Sequence, residues 1–176
     1  GVVALFPRRG LVAYVMDGRE RWRHALGAPF STPHGLSSSP VRHCDRVVVQ
    51  IDQDDGSRLA CLDLEDGKLL WETPREVTHG YSTPAILASG SGPVQVIANG
   101  ARRIASYDLA SGAVLWWVDG SAWQVKAAPV LHGDLCLVNA FMVPTSEFGG
   151  PPSIPSFEQA LAEHDADKDG AISKAE

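Results

Sequence analysis

The sequence predicts an all-β chain of repeated four-stranded units, followed by one short helix and an acidic loop. Three observations predict it. A glycine stands four places before a tryptophan three times, at Gly18 and Trp22, Gly67 and Trp71, Gly112 and Trp116, with the tryptophans 49 and 45 residues apart. A second marker keeps the same period: Ser38-Ser39-Pro40-Val41, Ser82-Thr83-Pro84-Ala85 and Ala127-Ala128-Pro129-Val130, with prolines 44 and 45 residues apart. Two independent markers on one period describe a stack of equivalent units. Last, residues 165–176 place carboxylates at alternate positions, as a cation-binding loop does.

The elements follow in chain order. The first unit ends at the Gly18 marker, preceded by Asp17 but shorter than the later copies. In the second unit, the strand opened by Pro40 is followed by Val47 to Ile51, Arg58 to Leu64 and Lys68 to Glu72. In the third, the strand opened by Pro84 is followed by Val94 to Ala98, Arg103 to Leu109 and Ala113 to Val118. Four short strands per unit of roughly 45 residues is the arithmetic of a β-propeller blade. Gly67 and Gly112 sit where hairpins need positive φ. The expected fold class is therefore all-β, a partial β-propeller of about three four-stranded blades of a larger propeller, followed by a helix-loop segment. Its blades are placed near 1–26, 37–73, 82–118 and 127–143, so that 1–143 forms one domain.

Residues 144–155, rich in proline and glycine, read as a stiff linker. No segment before residue 156 reads as helix. Pro155 bars helix before it, Ser156 can cap one, and Gln159 completes a capping box three residues on. Phe157, Ala160, Leu161 and His164 then share a helix face.

The loop that follows satisfies each position of an EF-hand, which makes 156–176 an entering helix and calcium loop. Asp165, Asp167 and Asp169 supply side-chain oxygens, Ala171 offers its carbonyl, Ser173 can hold a bridging water, and Glu176 supplies the bidentate carboxylate. Gly170 takes the sharp turn, where a side chain would be penalised. Calcium is the expected cofactor. Its role is to cross-link the ends of a loop inserted into a blade.

Composition bounds the remaining readings. The 176 residues are 44% hydrophobic and 20% charged, which is globular usage. A formal net charge of −6 argues against a nucleic-acid partner, because phosphate binding needs a basic surface. No apolar run approaches the roughly 18 residues of a membrane helix. The chain opens at Gly1 and stops at the twelfth loop residue, so it is expected to be a piece of a longer protein. Cys44, Cys61 and Cys136 are too few for a disulfide framework and lie in or beside strand-like runs, so buried thiols are expected, with one disulfide and one free thiol as the alternative.

At Asp63-Leu64-Glu65-Asp66-Gly67-Lys68-Leu69-Leu70-Trp71 and Asp108-Leu109-Ala110-Ser111-Gly112-Ala113-Val114-Leu115-Trp116 the sequence resembles the tryptophan-docking repeat of the pyrroloquinoline quinone (PQQ) propeller family. The resemblance covers roughly residues 1–143. It implies that each tryptophan packs flat on the neighbouring blade. It also implies an extracytoplasmic location, periplasmic or secreted, in a bacterial envelope. Quinoprotein dehydrogenases of the family hold PQQ and calcium above a tryptophan, often beside a vicinal disulfide. This chain has no vicinal cysteines and no aspartate in a recognisable catalytic context, so PQQ is not expected. Cofactor-free relatives, such as a propeller lipoprotein of outer-membrane protein assembly, keep the repeat for binding.

Three functional readings follow. The first is a calcium-binding, non-catalytic scaffold that binds a protein or envelope component. The second is a fragment of a PQQ-dependent quinoprotein oxidoreductase. The third is a propeller hydrolase or lyase, prompted by His34, His79 and Gln124, which stand six, five and five residues before the marker prolines. With Tyr81 and Lys126 they are expected to line one mouth of the propeller channel. His24, His43 and His132 read as ordinary surface or strand-end residues.

Overall fold

The structure is a computed structural model that describes residues 1–6, 9–27, 35–88, 92–133, 135–140 and 156–164. The chain divides into two compact units, Gly1–Met142 and Val143–Glu176. In the first, thirteen described strands form four antiparallel sheets in chain order. Blade 1 is β1 (Val2–Phe6), β2 (Gly10–Tyr14) and β3 (Glu20–His24). Blade 2 is β4 (Val41–His43), β5 (Arg46–Ile51), β6 (Arg58–Asp63) and β7 (Leu69–Pro74). Blade 3 is β8 (Ala85–Leu87), β9 (Gln95–Gly100), β10 (Arg103–Asp108) and β11 (Val114–Asp119), and blade 4 contributes β12 (Val130–His132) and β13 (Leu135–Leu137). Each sheet is a meander in which sequential strands pair. The strands β4, β8 and β12 begin on the residue after a marker proline, since proline lacks the donor needed inside a ladder.

The core lies between blades. The middle strands are buried on both faces, which is why Val47, Val48 and Val49 run unbroken. Strand periodicity then divides blade 2 between two neighbours. Val49, Ile51, Ala60 and Leu62 pack with Leu11, Ala13, Trp22 and Leu26 of blade 1. Val48, Leu59 and Cys61 pack with Val96, Ala98, Ala105 and Tyr107 of blade 3.

Each repeat carries the same irregularity. The register of the outer strand shifts between Ala13 and Tyr14, between Cys61 and Leu62, and between Ser106 and Tyr107. The extra residues are Arg21, Leu70 and Leu115, each just before a marker tryptophan. A bulge bends its strand and re-aims the next side chain. Here that side chain reaches the following blade: Trp22 Nε1 donates to Leu64 O at 2.9 Å, and Trp71 Nε1 donates to Leu109 O at 2.9 Å.

The receiving turns are built by aspartate and glycine. Asp63 Oδ1 accepts from Glu65 N at 2.7 Å, and Asp108 Oδ1 accepts from Ser111 N at 2.7 Å. The first contact closes an Asx turn, and the second ties the carboxylate one residue further along the matching turn. Gly67 and Gly112 follow at φ 73° and 76°. A Cβ there would lie 2.6 Å from the Trp22 or Trp71 ring, so glycine is required by conformation and by space alike. Trp116 has no such turn on it among the described residues; it is 37% exposed and donates to Gln95 Oε1 at 3.1 Å.

One expectation is corrected here. Only Cys61 is a buried thiol; Cys44 and Cys136 are exposed, and all three are free. Cys44 occupies the tight turn after β4 at φ 52°, and Cys136 lies on a sheet with only two described strands, so nearness to a strand did not imply burial. Burial pushes the Cys61 thiol up to about 11, so it is protonated at neutral pH.

In the second unit, α1 spans Phe157–His164. Its start carries the capping box: Ser156 N donates to Gln159 Oε1 at 2.9 Å and Gln159 N donates to Ser156 Oγ at 3.3 Å. The linker 144–155 and the calcium ligands Asp165, Asp167, Asp169, Ala171, Ser173 and Glu176 lie outside the described residues. No described helix is long and apolar enough to cross a membrane.

Candidate functional site

The connectors that carry the chain from one blade to the next bring three of the predicted mouth residues, His79, Tyr81 and Gln124, together. His79 lies between β7 and β8, and Gln124 holds the same place between β11 and β12. The buried His79 ring is held at both nitrogens. Nδ1 lies 2.5 Å from Asp54 Oδ1, and Nε2 lies 3.2 Å from Gln124 Nε2. With the Nδ1 proton donated to Asp54, Nε2 accepts from the Gln124 carboxamide. The His79 hydrogen bond in turn lowers the pKa of Asp54, keeping that carboxylate ionised. Trp123 meets the imidazole edge-on, with ring centroids 5.4 Å apart, and Tyr81 flanks it at 6.0 Å. Tyr81 N donates to Val125 O at 2.8 Å, tying successive connectors by their backbones. Lys126 is exposed on the same connector, and His34 lies outside the described residues.

Two members of this cluster were missed by sequence reasoning. Asp54 belongs to the acidic run Asp52 to Asp55, which joins β5 to β6, and Trp123 precedes Gln124. The only signal for Asp54 was the length of that loop, six residues against two at the matching turn of blade 3.

Behind the cluster lies a second polar group. Asp52 Oδ1 accepts from Arg75 Nε at 2.7 Å, Asp52 Oδ2 accepts from Gln50 Nε2 at 2.6 Å, and Arg75 Nη1 donates to Tyr107 Oη at 2.9 Å. Both charged side chains are 1% exposed. Burial works against the charge on Arg75, but attraction to Asp52 and Tyr107 outweighs it and raises the arginine pKa. The guanidinium fits because residue 100 is glycine: a Cβ there would stand 2.5 Å from Arg75 Nη2. Gln50 continues the network into blade 3 by donating to Asn99 O at 2.8 Å.

His79 and Arg75 border a cleft of about 760 Å³, whose walls also include Asp54, Glu76, Arg102 and Trp123. Among the described residues, no group of three His, Cys, Asp or Glu side chains could hold a metal ion.

The family described as outer membrane protein assembly factor BamB matches residues 8–84 and 55–147. The chain belongs to this family. The two matched stretches overlap across blade 2, as expected when one repeat pattern fits successive blades in more than one frame. No curated protein sequence matches the chain. Among solved structures, BamB from Moraxella catarrhalis superposes with a TM-score of 0.57 at 19% identity, covering 74% of this chain and 40% of that one. The BamB-family chain thus spans about two fifths of the length of that structure, and the likeness establishes the PQQ-like propeller repeat as its fold. The computationally designed Ika8 protein also superposes, with a TM-score of 0.39 at 16% identity, covering 78% of this chain and 52% of that one.

Proposed function

We propose that this chain is part of a calcium-binding β-propeller scaffold of the bacterial cell envelope, extracytoplasmic and working through a protein or envelope partner without a redox cofactor. The observation that carries the reading is the family match over residues 8–147, to a family described as an assembly factor. Calcium enters through Asp165, Asp167, Asp169, Ala171, Ser173 and Glu176, which have the spacing of an EF-hand loop, and through the capped helix that leads into them. Its role is structural: extracellular modules of this type bind at roughly 10⁻⁴ to 10⁻³ M, suited to a standing calcium level.

The hydrolase or lyase reading has one observation in its favour, the Asp54–His79 pair, which resembles the base-orienting half of a catalytic triad. Against it, Gln124 occupies the nitrogen that a general base would turn to substrate. The cluster reads better as a clip between connectors. The quinoprotein reading draws no support from an assembly-factor family.

Calorimetric titration of the 176-residue chain with calcium and, separately, with PQQ tests the proposal. Calcium heat that vanishes in Asp165→Ala and Glu176→Gln, with no heat from PQQ, is the expected result. Saturable PQQ heat would replace the scaffold with an oxidoreductase. Absence of calcium heat would remove calcium from the proposal.

A further inference from the structure

The cleft beside the connectors holds more than a clip needs. Trp123 is 48% exposed although it lines a concave surface, and its one close ring partner among the described residues is His79. A large aromatic left half open in a cleft is an unused contact area. On the far side of the His79 contact, the Asp54 side chain also lines the cleft and is 46% exposed even with one oxygen committed to His79.

Arg102 is the second unusual residue. It forms the tip of the β9–β10 hairpin at φ 63°, a conformation that glycine or asparagine takes at lower cost. Its backbone is locked there: Arg102 N donates to Ala122 O at 3.0 Å, and Gly120 N donates to Arg102 O at 2.9 Å. Its side chain is exposed and lines the cleft, and no described residue forms an ion pair with it. A strained position filled by a residue ill suited to it points to work done by the side chain.

We propose that this cleft binds a neutral saccharide, with a pyranose ring against Trp123 and its hydroxyls shared between the Asp54 carboxylate and the Arg102 guanidinium. The charge pattern selects the ligand. Glu76 and Asp119 are both paired with Arg103, which leaves the Asp54 carboxylate and the Arg102 guanidinium as one charge of each sign, so neither an anion nor a cation is favoured, whereas hydroxyls can donate to the carboxylate and accept from the guanidinium. An extended peptide is disfavoured, because the backbone of the hairpin tip and of the facing connector is already paired. The volume of about 760 Å³ is ordinary for a small-molecule site.

The test is NMR titration of the 176-residue chain with three neutral disaccharides: cellobiose, lactose and N,N′-diacetylchitobiose. Saturable shifts of the Trp123 indole resonance by at least one of them are expected. Arg102→Gly keeps the positive-φ turn while removing the guanidinium, and should weaken binding roughly tenfold, the loss of a charge-assisted hydrogen bond. Trp123→Ala should abolish binding, with the dispersion of the remaining indole signals reporting that the blades are intact. No saturable shift from any of the three sugars, or undiminished binding in Arg102→Gly, would overturn the proposal.

Discussion

The two described blade interfaces place opposite chemistry at one position of the repeat. Leu26 follows the docked Trp22 by four residues, as Arg75 follows the docked Trp71. Leu26 shares an apolar cluster with Leu62, whereas Arg75 meets Tyr107, the residue matching Leu62 one blade later, and is neutralised by Asp52. Tryptophan docking is the same at both interfaces, so the repeat sets how blades approach without setting what fills the seam. An apolar seam tolerates variation in packing, but a buried ion pair fails when either partner is lost.

The largest break in this comparison is Asp52→Ala. It strands a buried guanidinium and should cost about 3–5 kcal/mol in urea unfolding. Cys61 lies in the affected seam and reports it directly. In the unaltered protein a thiol reagent should label the exposed Cys44 and Cys136 at once and Cys61 only on opening, and Asp52→Ala should speed the Cys61 reaction. Adding Arg75→Leu to Asp52→Asn removes both charges and places the leucine of the first interface at this position. That pair should fall within about 1 kcal/mol of the parent or exceed it, since replacing a buried ion pair together is often neutral or stabilising. A double variant as unstable as Asp52→Ala would show that the arginine also packs in a way leucine cannot.

A smaller effect separates a docked turn from an open one. Gly112→Ala meets both a positive φ and the Trp71 ring, while Gly18→Ala meets a positive φ with nothing within 4 Å. The second should cost about 1–2 kcal/mol for the left-handed backbone, and the first clearly more, with loss of Trp71 burial seen as a red shift in fluorescence. The smallest effect is expected on the surface. Arg58 pairs with Glu72 in blade 2, and the matching residues of blade 3 are Arg103 and Trp117, whose guanidinium lies 5.7 Å from the ring. Glu72→Ala should change stability by less than about 1 kcal/mol, and Trp117→Ala by a similar amount in thermal unfolding.

Much of this fold was legible because its signals are local. The marker prolines foretold the starts of β4, β8 and β12, and Gly67 and Gly112 were expected in positive-φ turns, which they occupy. Ser156 and Gln159 met as a capping box because a helix start depends on residues three apart. The candidate site was legible only in half. His79 and Gln124 could be paired by their shared repeat position, but Asp54 joins them from a loop 25 residues away from His79.

The sequence by itself determined the period, the strand order within each blade and the glycine turns, because each rests on near neighbours along the chain. Only the tertiary structure decided that Arg75 finds Asp52 and Tyr107, at separations of 23 and 32 residues. It also decided which thiol is buried and which aromatic faces a cleft. Those outcomes depend on how one blade lies on the next, and a burial pattern records that a face is covered without recording by what.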